Sequence, residues 1–572
     1  MRLPLPRPRS LRALLTALAV AACAVTATAT PAVADTPVEV NYADPVTALP
    51  PVSRPPTPHC TVTAMRHDFA NSYGQPFRAT LTPPADCPGP WSKVVLDWSG
   101  SVAGRQYDRL AAVWIGGAEV FRTSTPEPDP AGISWHVDAD ISRFIPLLRT
   151  PQPLVVDLGN IYNSTYTGIY HMTMTVTYYQ ADAAHPEAAH PDVVVPVSHS
   201  ASDPGWWTLG RGQSASTAVT LPRNATRAVL EVYARGGGCD EQWFADVPDD
   251  LAAAHPDTLC GGGPYREVQV LLDGVPAGLA QPFPVVYTGG ISPLMWRPIP
   301  AIDAFRTQPY TVDVTPFVGR LVDGQAHTVT LVPFGDHDNW TVGGSLFVDV
   351  DHARAQTSGA LVSDTLTTTP QVTSDSAPGA DGGTVVTTTV ARNWATTGYV
   401  DTSAGRITTT VEQRFTYSNV NAVNAAGTRQ DVTQRDAGTT TVTRTPEHGQ
   451  ATGTRSTWSY PIDMTSDYRP GTQPDTFFVG GHVTEARQLD EATLRGAYWQ
   501  PTGFTDDRLT ADGVFARTNG VVTQADGSDS ERYRGTTDTG CYDHAISADH
   551  GYVTSDVVGS CTGSWHSPVA AR

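Results

Sequence analysis

Asp108 and Arg109 stand at a point of the chain where charge is unexpected. They directly precede the apolar run LAAVWI at residues 110–115, within the stretch GRQYDRLAAVWIGG. A solvated strand end, at which the two side chains pair, is the bland interpretation of such a motif. A carboxylate fixed at the head of a rigid strand can instead take up and release a proton at a defined position. Asp108 is therefore a candidate for acid–base chemistry.

A second carboxylate lies in the stretch GCDEQWF at residues 238–244. Glu241 follows a glycine run and Cys239, and it precedes Trp243 and Phe244. Partial burial beside aromatic rings tends to raise the pKa of a carboxyl, which equips it to hold or transfer a proton near neutral pH. The alternative is a capped strand end beside a disulfide. Glu127, in the stretch RTSTPEP, is a third acid at an unusual place.

The stretch TGGISPLMWRPI at residues 288–299 offers binding groups. Two glycines expose the backbone, and Trp296 and Arg297 follow. An indole can stack on a sugar ring, and a guanidinium can bind its hydroxyls or a carboxylate. The same residues also suit an ordinary core or turn, so this motif is weak when it is considered alone.

Short β-strands are the elements that must position these residues. Runs such as SKVVLDWSGSV, PLVVDLGNIY and RAVLEVYARG are rich in β-branched and aromatic residues, and Gly, Pro, Asn and Asp separate them. The pattern predicts an all-β fold with two β-sandwiches in tandem. The predicted divisions are a signal peptide at 1–34, an extended lead-in at 35–58, a first sandwich at 59–181, a linker at 182–196, a second sandwich at 197–352 and a Thr-rich β accessory region at 353–572.

The N-terminus and the cysteines indicate export. Four arginines precede an apolar run that ends at Ala32-Val33-Ala34, the pattern of a cleaved secretory signal. Cys23 offers lipoprotein anchoring as a minor alternative. The other six cysteines form three sequence-local couples, and in an oxidising compartment we expect the disulfides Cys60–Cys87, Cys239–Cys260 and Cys541–Cys561. Lys93 is the only lysine beside many arginines, and Ala, Thr, Gly and Pro are plentiful, which suggests a genome rich in G and C. This composition indicates a bacterial source.

Composition disfavours several classes of protein. The 57 acidic and 37 basic residues give a net charge of −20, which argues against a nucleic-acid partner. No segment after the signal is long enough for a membrane span. The motifs of serine hydrolases, zinc proteases and nucleotide-binding loops are missing. The acidic stretches FGDHDNW and VDVDH lack calcium-loop spacing and favour surface turns. We expect that the protein needs neither a metal nor a cofactor. We also expect that it is a monomer.

Several stretches, taken together and in order, resemble the peptide:N-glycosidase A family of glycoamidases. The resemblance covers residues 59–352 well and fades beyond about residue 430. It rests on the segments GRQYDRLAAVWIGG, FRTSTPEPDPAGISWHVDADI, LVVDLGNIYNSTYTGIYH, GCDEQWF, YREVQVLLDG, VVYTGGISPLMWRPI and TPFVG. The resemblance implies hydrolysis of the amide between asparagine and the first N-acetylglucosamine of an N-glycan. A carbohydrate-binding sandwich without catalysis, and a two-carboxylate endoglycosidase, are the alternatives.

The sequence is also distantly similar to peptide:N-glycosidase F, a pair of jelly rolls with the active site in the cleft between them. This similarity implies that Asp108 is the principal catalytic carboxylate, that Glu241 positions water or shares a proton with it, and that Arg109 holds Asp108 ionised or stabilises an oxyanion. A third acid of that enzyme falls near Gly159 and Asn160, where this chain has none, so Asn160 or Glu127 would take its place. The implied substrate-binding residues are Glu127, Asn160, Tyr162, Trp243, Trp296 and Arg297.

Overall fold

A computed structural model describes residues 41–200, 203–559 and 561, and these residues form an all-β protein. The prediction of an all-β fold is confirmed. The predicted signal peptide, Cys23 and the first residues of the lead-in lie outside the described residues. The three predicted disulfides, Cys60–Cys87, Cys239–Cys260 and Cys541–Cys561, are present.

The first eight strands form two four-stranded antiparallel sheets. Their orders are β1-β8-β3-β6 and β2-β7-β4-β5, which is the strand arrangement of a jelly roll. The strands are β1 (His59–Phe69), β2 (Phe77–Leu81), β3 (Trp91–Val102), β4 (Leu110–Ile115), β5 (Ala118–Ser124), β6 (Ile133–Asp140), β7 (Gln152–Leu158) and β8 (Tyr170–Gln180).

The next nine strands repeat this arrangement. The two sheets have the orders β10-β17-β12-β15 and β11-β16-β13-β14, and β9 adds to the first by pairing with β17. The end of the predicted linker is therefore part of a sheet, because residues Val193–Val197 pair with residues 344–348 of β17. The strands are β9 (Val193–Val197), β10 (Trp207–Gly210), β11 (Ala215–Val219), β12 (Ala225–Gly237), β13 (Glu267–Leu272), β14 (Val275–Ala280), β15 (Tyr310–Asp313), β16 (His327–Phe334) and β17 (Asn339–Val350).

The remaining strands form one twelve-stranded antiparallel sheet, called the C-terminal sheet below. Burial alternates along β20: its buried face carries Val386, Val390 and Trp394 together with Thr388 and Thr396, and its other face is more exposed. The strands are β18 (Ser358–Asp364), β19 (Val372–Pro378), β20 (Thr384–Thr402), β21 (Gly405–Val423), β22 (Arg429–Pro446), β23 (Thr452–Ser459), β24 (Ile462–Pro470), β25 (Phe477–Arg495), β26 (Tyr498–Thr518), β27 (Val521–Thr537), β28 (Gly540–Asp549) and β29 (Tyr552–Val558).

Helices are short throughout the described residues. The α-helices are α1 (Ile145–Leu148), α2 (Asp249–Ala254) and α3 (Val318–Leu321), and 3₁₀ turns span Ser142–Phe144, Gly238–Ala245, Pro293–Trp296, Thr315–Phe317 and Ala380–Gly382. None of the helices in the described part of the chain has the length and apolar character needed to cross a membrane.

The continuous apolar run of β4 reflects burial on both of its faces. Ala111 to Ile115 are all buried. One face packs into the core of the first sandwich, whereas Trp114 on the other face contacts Trp206 of the second, with ring centroids 5.3 Å apart. The strand that follows Asp108 is therefore fixed between the two sandwiches.

The described part of the predicted lead-in is bound along its length to all three parts of the fold. We call residues 41–54 the strap. Asp44 accepts hydrogen bonds from Ser134 of the first sandwich, the Val46 amide donates to Pro298 O at 3.0 Å, and the Ala48 amide donates to Glu531 of the C-terminal sheet at 2.6 Å.

Candidate active site

Asp108 and Glu127 lie at the same end of one strand pair. Leu110, the first residue of β4, is opposite Ser124, the last residue of β5. Beyond the pair, the Arg109 amide donates to Thr125 Oγ1 at 2.9 Å, and the Thr125 amide donates to Arg109 O at 2.9 Å. Asp108 and Glu127 follow on either side of this junction, so the antiparallel hairpin brings the two acids together.

Glu241 reaches the site from the second sandwich. It lies on the 3₁₀ turn Gly238–Ala245 that directly follows β12, and the Cys239–Cys260 disulfide ties this turn down. Glu241 Oε2 forms an ion pair with Arg235 Nη2 at 3.0 Å. The Arg235 guanidinium also stacks over the Tyr287 ring, 4.1 Å from its centroid. The Glu241 side chain thus stays partly open to solvent, while the ion pair with Arg235 fixes its orientation.

The loop Thr288–Gly290 of the second sandwich lies between the two sets of residues. Thr288 Oγ1 donates to Thr125 O at 3.0 Å. A Cβ on Gly289 would lie 3.0 Å from Glu127 Oε1 and 3.2 Å from Asp108 Oδ1. A Cβ on Gly290 would lie 3.3 Å from Gln242 Nε2, next to Glu241. Gly289 therefore lets the backbone approach the two carboxylates of the first sandwich, and Gly290 lets it approach the Gln242 side chain, which neighbours Glu241 in the chain.

The protonation of Asp108 depends on its burial and on its charged neighbours. Burial above all, and then the charges of Glu127 and Glu241, raise the pKa of Asp108 to about 7, against the opposing effect of Arg235 and then Arg109. Burial also raises the pKa of Glu127, although Arg297 Nη2 lies 2.9 Å from Glu127 Oε2 and opposes that rise. Three carboxylates and several guanidiniums thus share one site in which protonation depends on every member.

Comparison with known proteins identifies the family of the chain. The family model of peptide N-acetyl-beta-D-glucosaminyl asparaginase amidase A matches residues 45–367. The chain belongs to this amidase A family. It is accordingly a glycoamidase, a hydrolase. The model of the PNGase_A C-terminal domain matches residues 385–462.

One curated relative of this amidase A chain is the peptide-N4-(N-acetyl-beta-glucosaminyl)asparagine amidase A of Prunus dulcis. It is 33% identical over 549 residues, which cover 92% of this chain and 93% of the relative. Similarity within the family therefore continues past residue 430, where the resemblance seen in the sequence alone fades. Two solved structures are also similar. PNGase F of Flavobacterium meningosepticum is 13% identical, with a TM-score of 0.34, over 51% of this chain and 96% of its own. PNGF-II is 14% identical, with a TM-score of 0.34, over 55% of this chain and 64% of its own.

Arg109 has a different position in the amidase from the one expected. Its guanidinium donates to Gln106 Oε1 rather than pairing with Asp108, and its effect on the Asp108 pKa is smaller than that of Arg235. Gln106 in turn donates to Ile161 O at 2.9 Å. Arg109 therefore links Asp108's strand to the loop that follows β7, and Arg235 is the principal cation of the site.

Several expected substrate-binding residues of the amidase are buried instead. Trp243 and Trp296 are each 3% exposed, and Trp296 Nε1 donates to Gly290 O at 2.8 Å, so both indoles support the site from the core. Asn160 is fully buried and donates to Phe69 O and Gly168 O. Arg297 is occupied by Glu127. The causes differ: Asn160 is bound within the first sandwich, the turn that carries Trp296 packs against the C-terminal sheet, and Arg297 pairs with an acid of the other sandwich.

Glu127 lies beside Asp108 in the candidate site, and the structure places Tyr162 at the surface. The Tyr162 side chain is 44% exposed. Tyr107, directly before Asp108, is 48% exposed, and its ring centroid lies 5.2 Å from that of Tyr166. Tyr162 is open to a ligand, and so is the Tyr107–Tyr166 pair, which the sequence analysis overlooked. The sequence signal for Tyr107 was adjacency to Asp108.

Arg235 is the charged site residue of the amidase that the sequence analysis missed. It lies near the end of β12, six positions before Glu241, in a run whose strand pattern concealed its charge. Asp240, by contrast, is fully buried and paired with Arg266, and the His337 and Asp338 amides donate to it. Only the second acid of the Asp240-Glu241 pair is therefore available for chemistry.

One group of potential metal ligands occurs among the described residues of the amidase, and it belongs to a different set of contacts. Asp97, His136 and Asp138 lie together. Arg54 of the strap pairs with Asp97 at 2.5 Å and with Asp138 at 3.5 Å, so a guanidinium already balances the two carboxylates. This cluster works as a binding site for the strap.

Proposed function

We propose that this glycoamidase hydrolyses the amide between an asparagine side chain and the first N-acetylglucosamine of an N-glycan, converting Asn to Asp and releasing the glycan as a glycosylamine. The observation that carries the proposal is the meeting of Asp108 and Glu127 with Glu241 across Gly289 and Gly290. The name of the Prunus dulcis relative supports the same reaction.

Asp108 is the proton carrier of the proposed reaction. With a pKa of about 7, its carboxylate can accept a proton from water as the water oxygen attacks the side-chain amide carbon. The C–N bond then breaks, and Asp108 returns the proton to the leaving nitrogen. The products are an aspartate and a glycosylamine, which later loses ammonia in solution. One group therefore acts as base and then as acid.

Glu241 and its partner Arg235 position the other reactants. Glu241 is held by Arg235 at 3.0 Å and remains partly exposed, so it can accept a hydrogen bond from the attacking water. Burial lowers the pKa of Arg235, but Tyr287, Glu241 and Asp108 together raise it above its usual value. A guanidinium at this point can stabilise the oxyanion that forms on the amide oxygen. Arg109 holds the strand end that carries Asp108.

The rim of exposed tyrosines suits the substrate outside the reacting amide. Tyr162 and the Tyr107–Tyr166 pair offer aromatic faces that can stack on pyranose rings or on apolar peptide side chains. We propose that the substrate is an N-glycoprotein or an N-glycopeptide. The N-terminal signal and the three disulfides support action outside the cell, with the protein secreted.

The test is mass spectrometry of an N-glycopeptide after incubation with the wild-type protein and with Asp108→Asn. We expect the wild type to convert the glycosylated Asn to Asp and Asp108→Asn to lose this activity by at least about 100-fold, because an amide cannot carry the proton. The melting temperature should stay the same or rise, since the substitution removes a buried acid. Asp86→Asn, at an exposed position of the first sandwich, is the matched control and should keep full activity.

Three outcomes separate the possible functions. Asp at the glycosylation site supports the proposed amidase. An asparagine that retains one N-acetylglucosamine identifies an endoglycosidase. An unchanged glycopeptide that nevertheless binds the wild type identifies a carbohydrate-binding protein. Near wild-type turnover by Asp108→Asn would contradict the role of Asp108.

A further inference from the structure

Tyr42 of the strap lies beneath the ion pair that holds Glu127. The Arg297 guanidinium stacks over the Tyr42 ring, 4.8 Å from its centroid, and Arg297 Nη2 lies 2.9 Å from Glu127 Oε2. Tyr42 is 7% exposed, and its amide donates to Asp129 Oδ2 at 3.0 Å. The ring therefore covers the side of Arg297 that would otherwise be open to water.

The C-terminal sheet keeps Tyr42 in this place. The turn between β28 and β29 reaches the strap at Gly551, whose carbonyl accepts a hydrogen bond from the Ala43 amide at 2.9 Å. A Cβ on Gly551 would lie 2.7 Å from Tyr42 Cβ. Gly551 also has a φ of +80°. The sheet thus presses directly on the residue that covers Arg297.

We propose that Tyr42 is a positioning residue for Glu127, and that the turn of the C-terminal sheet at Gly551 holds it against Arg297. The C-terminal sheet is then an outer wall of the active site rather than an accessory. This inference rests on the proposed function, since it assigns the sheet a role in the same amide hydrolysis.

These contacts link Tyr42 to the ionisation of Asp108, which can be measured. Tyr42 orients Arg297, Arg297 neutralises Glu127, and Glu127 is the charge that most raises the pKa of Asp108 after burial itself. Loss of the aromatic face releases the Arg297 guanidinium from its stacked position and weakens its ion pair with Glu127, so that Glu127 is neutralised less completely. The ionisation of Asp108 then moves to higher pH, and Glu127 loses its fixed position beside Gly289. A role of Tyr42 in folding alone would change neither.

Two substitutions of similar volume test the role of the ring. Tyr42→Leu keeps apolar bulk but removes the aromatic face, whereas Tyr42→Phe keeps the face and removes only a hydroxyl that has no hydrogen-bond partner among the described residues. For Tyr42→Leu we expect kcat to fall roughly 10-fold, with a smaller change in KM, and the kcat/KM ionisation to move to higher pH. Tyr42→Phe should retain wild-type kinetics. Tyr552→Ala, at an exposed tyrosine beside the same turn, is the control.

A third variant tests the sheet itself. Gly551→Ala places a methyl group against Tyr42 and should reproduce the kinetics of Tyr42→Leu. Gly274→Ala is the matched control, because Gly274 has a φ of +78° and nothing within 4 Å of a new Cβ, so it carries the same backbone strain without the contact.

The wild type is assayed first, so that the two proposals fail separately. If the wild type does not convert Asn to Asp, the proposed function is wrong. If the wild type is active and Tyr42→Leu keeps the wild-type kcat and pH profile, the positioning role is overturned. A fall in kcat that is equal in Tyr42→Leu and Tyr42→Phe would also overturn it, because the aromatic face would then not matter.

Discussion

Asp108 owes its proton affinity to the residues around it. An aspartate in water has a pKa near 4, whereas burial, then Glu127 and then Glu241 raise the pKa of Asp108 to about 7. Arg235 and Arg109 limit the rise. A carboxyl that is half-protonated near neutral pH can exchange a proton in both directions during one turnover, and this property comes from the assembly rather than from the residue.

Replacement of Glu127 tests this explanation directly. Glu127→Gln removes a negative charge beside Asp108 and leaves Arg297 without its counter-ion, and both changes lower the pKa of Asp108. We therefore expect the ionisation in the pH profile of kcat/KM to move to lower pH, and kcat to fall roughly 10-fold because Arg297 loses its partner. Kinetics across pH 5 to 9 measure both effects.

Glu187→Gln serves as the control for this substitution, since Glu187 pairs with Arg149 near the surface. An ionisation that stays in place, or one that moves to higher pH, would show that Glu127 does not set the proton affinity of Asp108.

At the scale of elements, the sequence predicted strands well and their surroundings less well. Most runs that predicted strands, including the apolar run of β4, lie in strands. The run PFPVVYTGG at residues 282–290 also has strand composition, but it forms the loop that carries Gly289 and Gly290, so that prediction was wrong. Asp108 and Glu241 could be found because each combines a charge with an apolar or glycine-rich neighbourhood in a few residues. Trp296 could not be interpreted in the same way, because an indole that supports a site from the core and one that stacks on a sugar have the same local sequence.

Arg235 shows the other limit of sequence reasoning. Its partners are Glu241 on the following turn, Tyr287 on a later loop and Asp108 in the first sandwich. Such convergence depends on how the sandwiches pack, and packing between sandwiches leaves no periodic signal in the chain. The strap is a similar case, since its contacts with all three parts of the fold come from residues that have no strand or helix pattern.

The turn that carries Glu241 depends on one disulfide. Cys239–Cys260 closes the segment between β12 and β13, and Glu241 lies two residues after Cys239. We expect Cys239→Ser/Cys260→Ser to lower kcat roughly 10- to 100-fold, because a loosened turn misplaces the carboxylate, and to lower the free energy of unfolding by about 3 kcal/mol. Activity and thermal unfolding of the purified variant measure the two effects.

A second disulfide of nearly equal span provides the comparison. Cys541–Cys561 closes 20 residues, against 21 for Cys239–Cys260, and it lies in the C-terminal sheet away from Glu241. Cys541→Ser/Cys561→Ser should lose a comparable amount of stability but lower kcat less, because the turn that this bond encloses contacts Tyr42 and not the turn that carries Glu241. Equal kinetic losses in the two double variants would mean that the Cys239–Cys260 bond acts on the fold as a whole and not on Glu241.

At the scale of the whole molecule, the active-site loop rests on the C-terminal sheet. Gly481, Gly513 and Gly527 leave room for Ile291, Met295 and Leu294, which a Cβ at each glycine would overlap. Acids of the same sheet then accept hydrogen bonds from the backbone beyond this loop: Glu485 from Ile302 and Asp529 from Ile299, both at 3.0 Å. The sheet therefore supports the loop that carries Gly289 and Arg297.

These supporting acids make stability depend on pH. Burial raises the pKa of Glu485 and of Asp529 to about 8, whereas in the unfolded chain both lie near 4. Between these pH values the folded protein keeps protons that the unfolded chain releases, so the free energy of unfolding falls as pH rises from about 4 to about 8. We expect the melting temperature to fall over the same range.

Glu485→Gln should flatten this decline and raise the melting temperature at pH 8 by roughly 2–4 °C. The amide oxygen can still accept the Ile302 hydrogen bond, and the amide group does not ionise, so the variant stays in the neutral form that the buried site favours. Differential scanning calorimetry at pH 5 and pH 8 measures the difference, with Glu491→Gln at an exposed position of the same strand as the control. A melting temperature that falls more steeply with pH in Glu485→Gln than in the wild type would contradict this explanation. Glu485 would then support the loop as a charged carboxylate, and the C-terminal sheet would bind the loop through charge rather than through neutral hydrogen bonds.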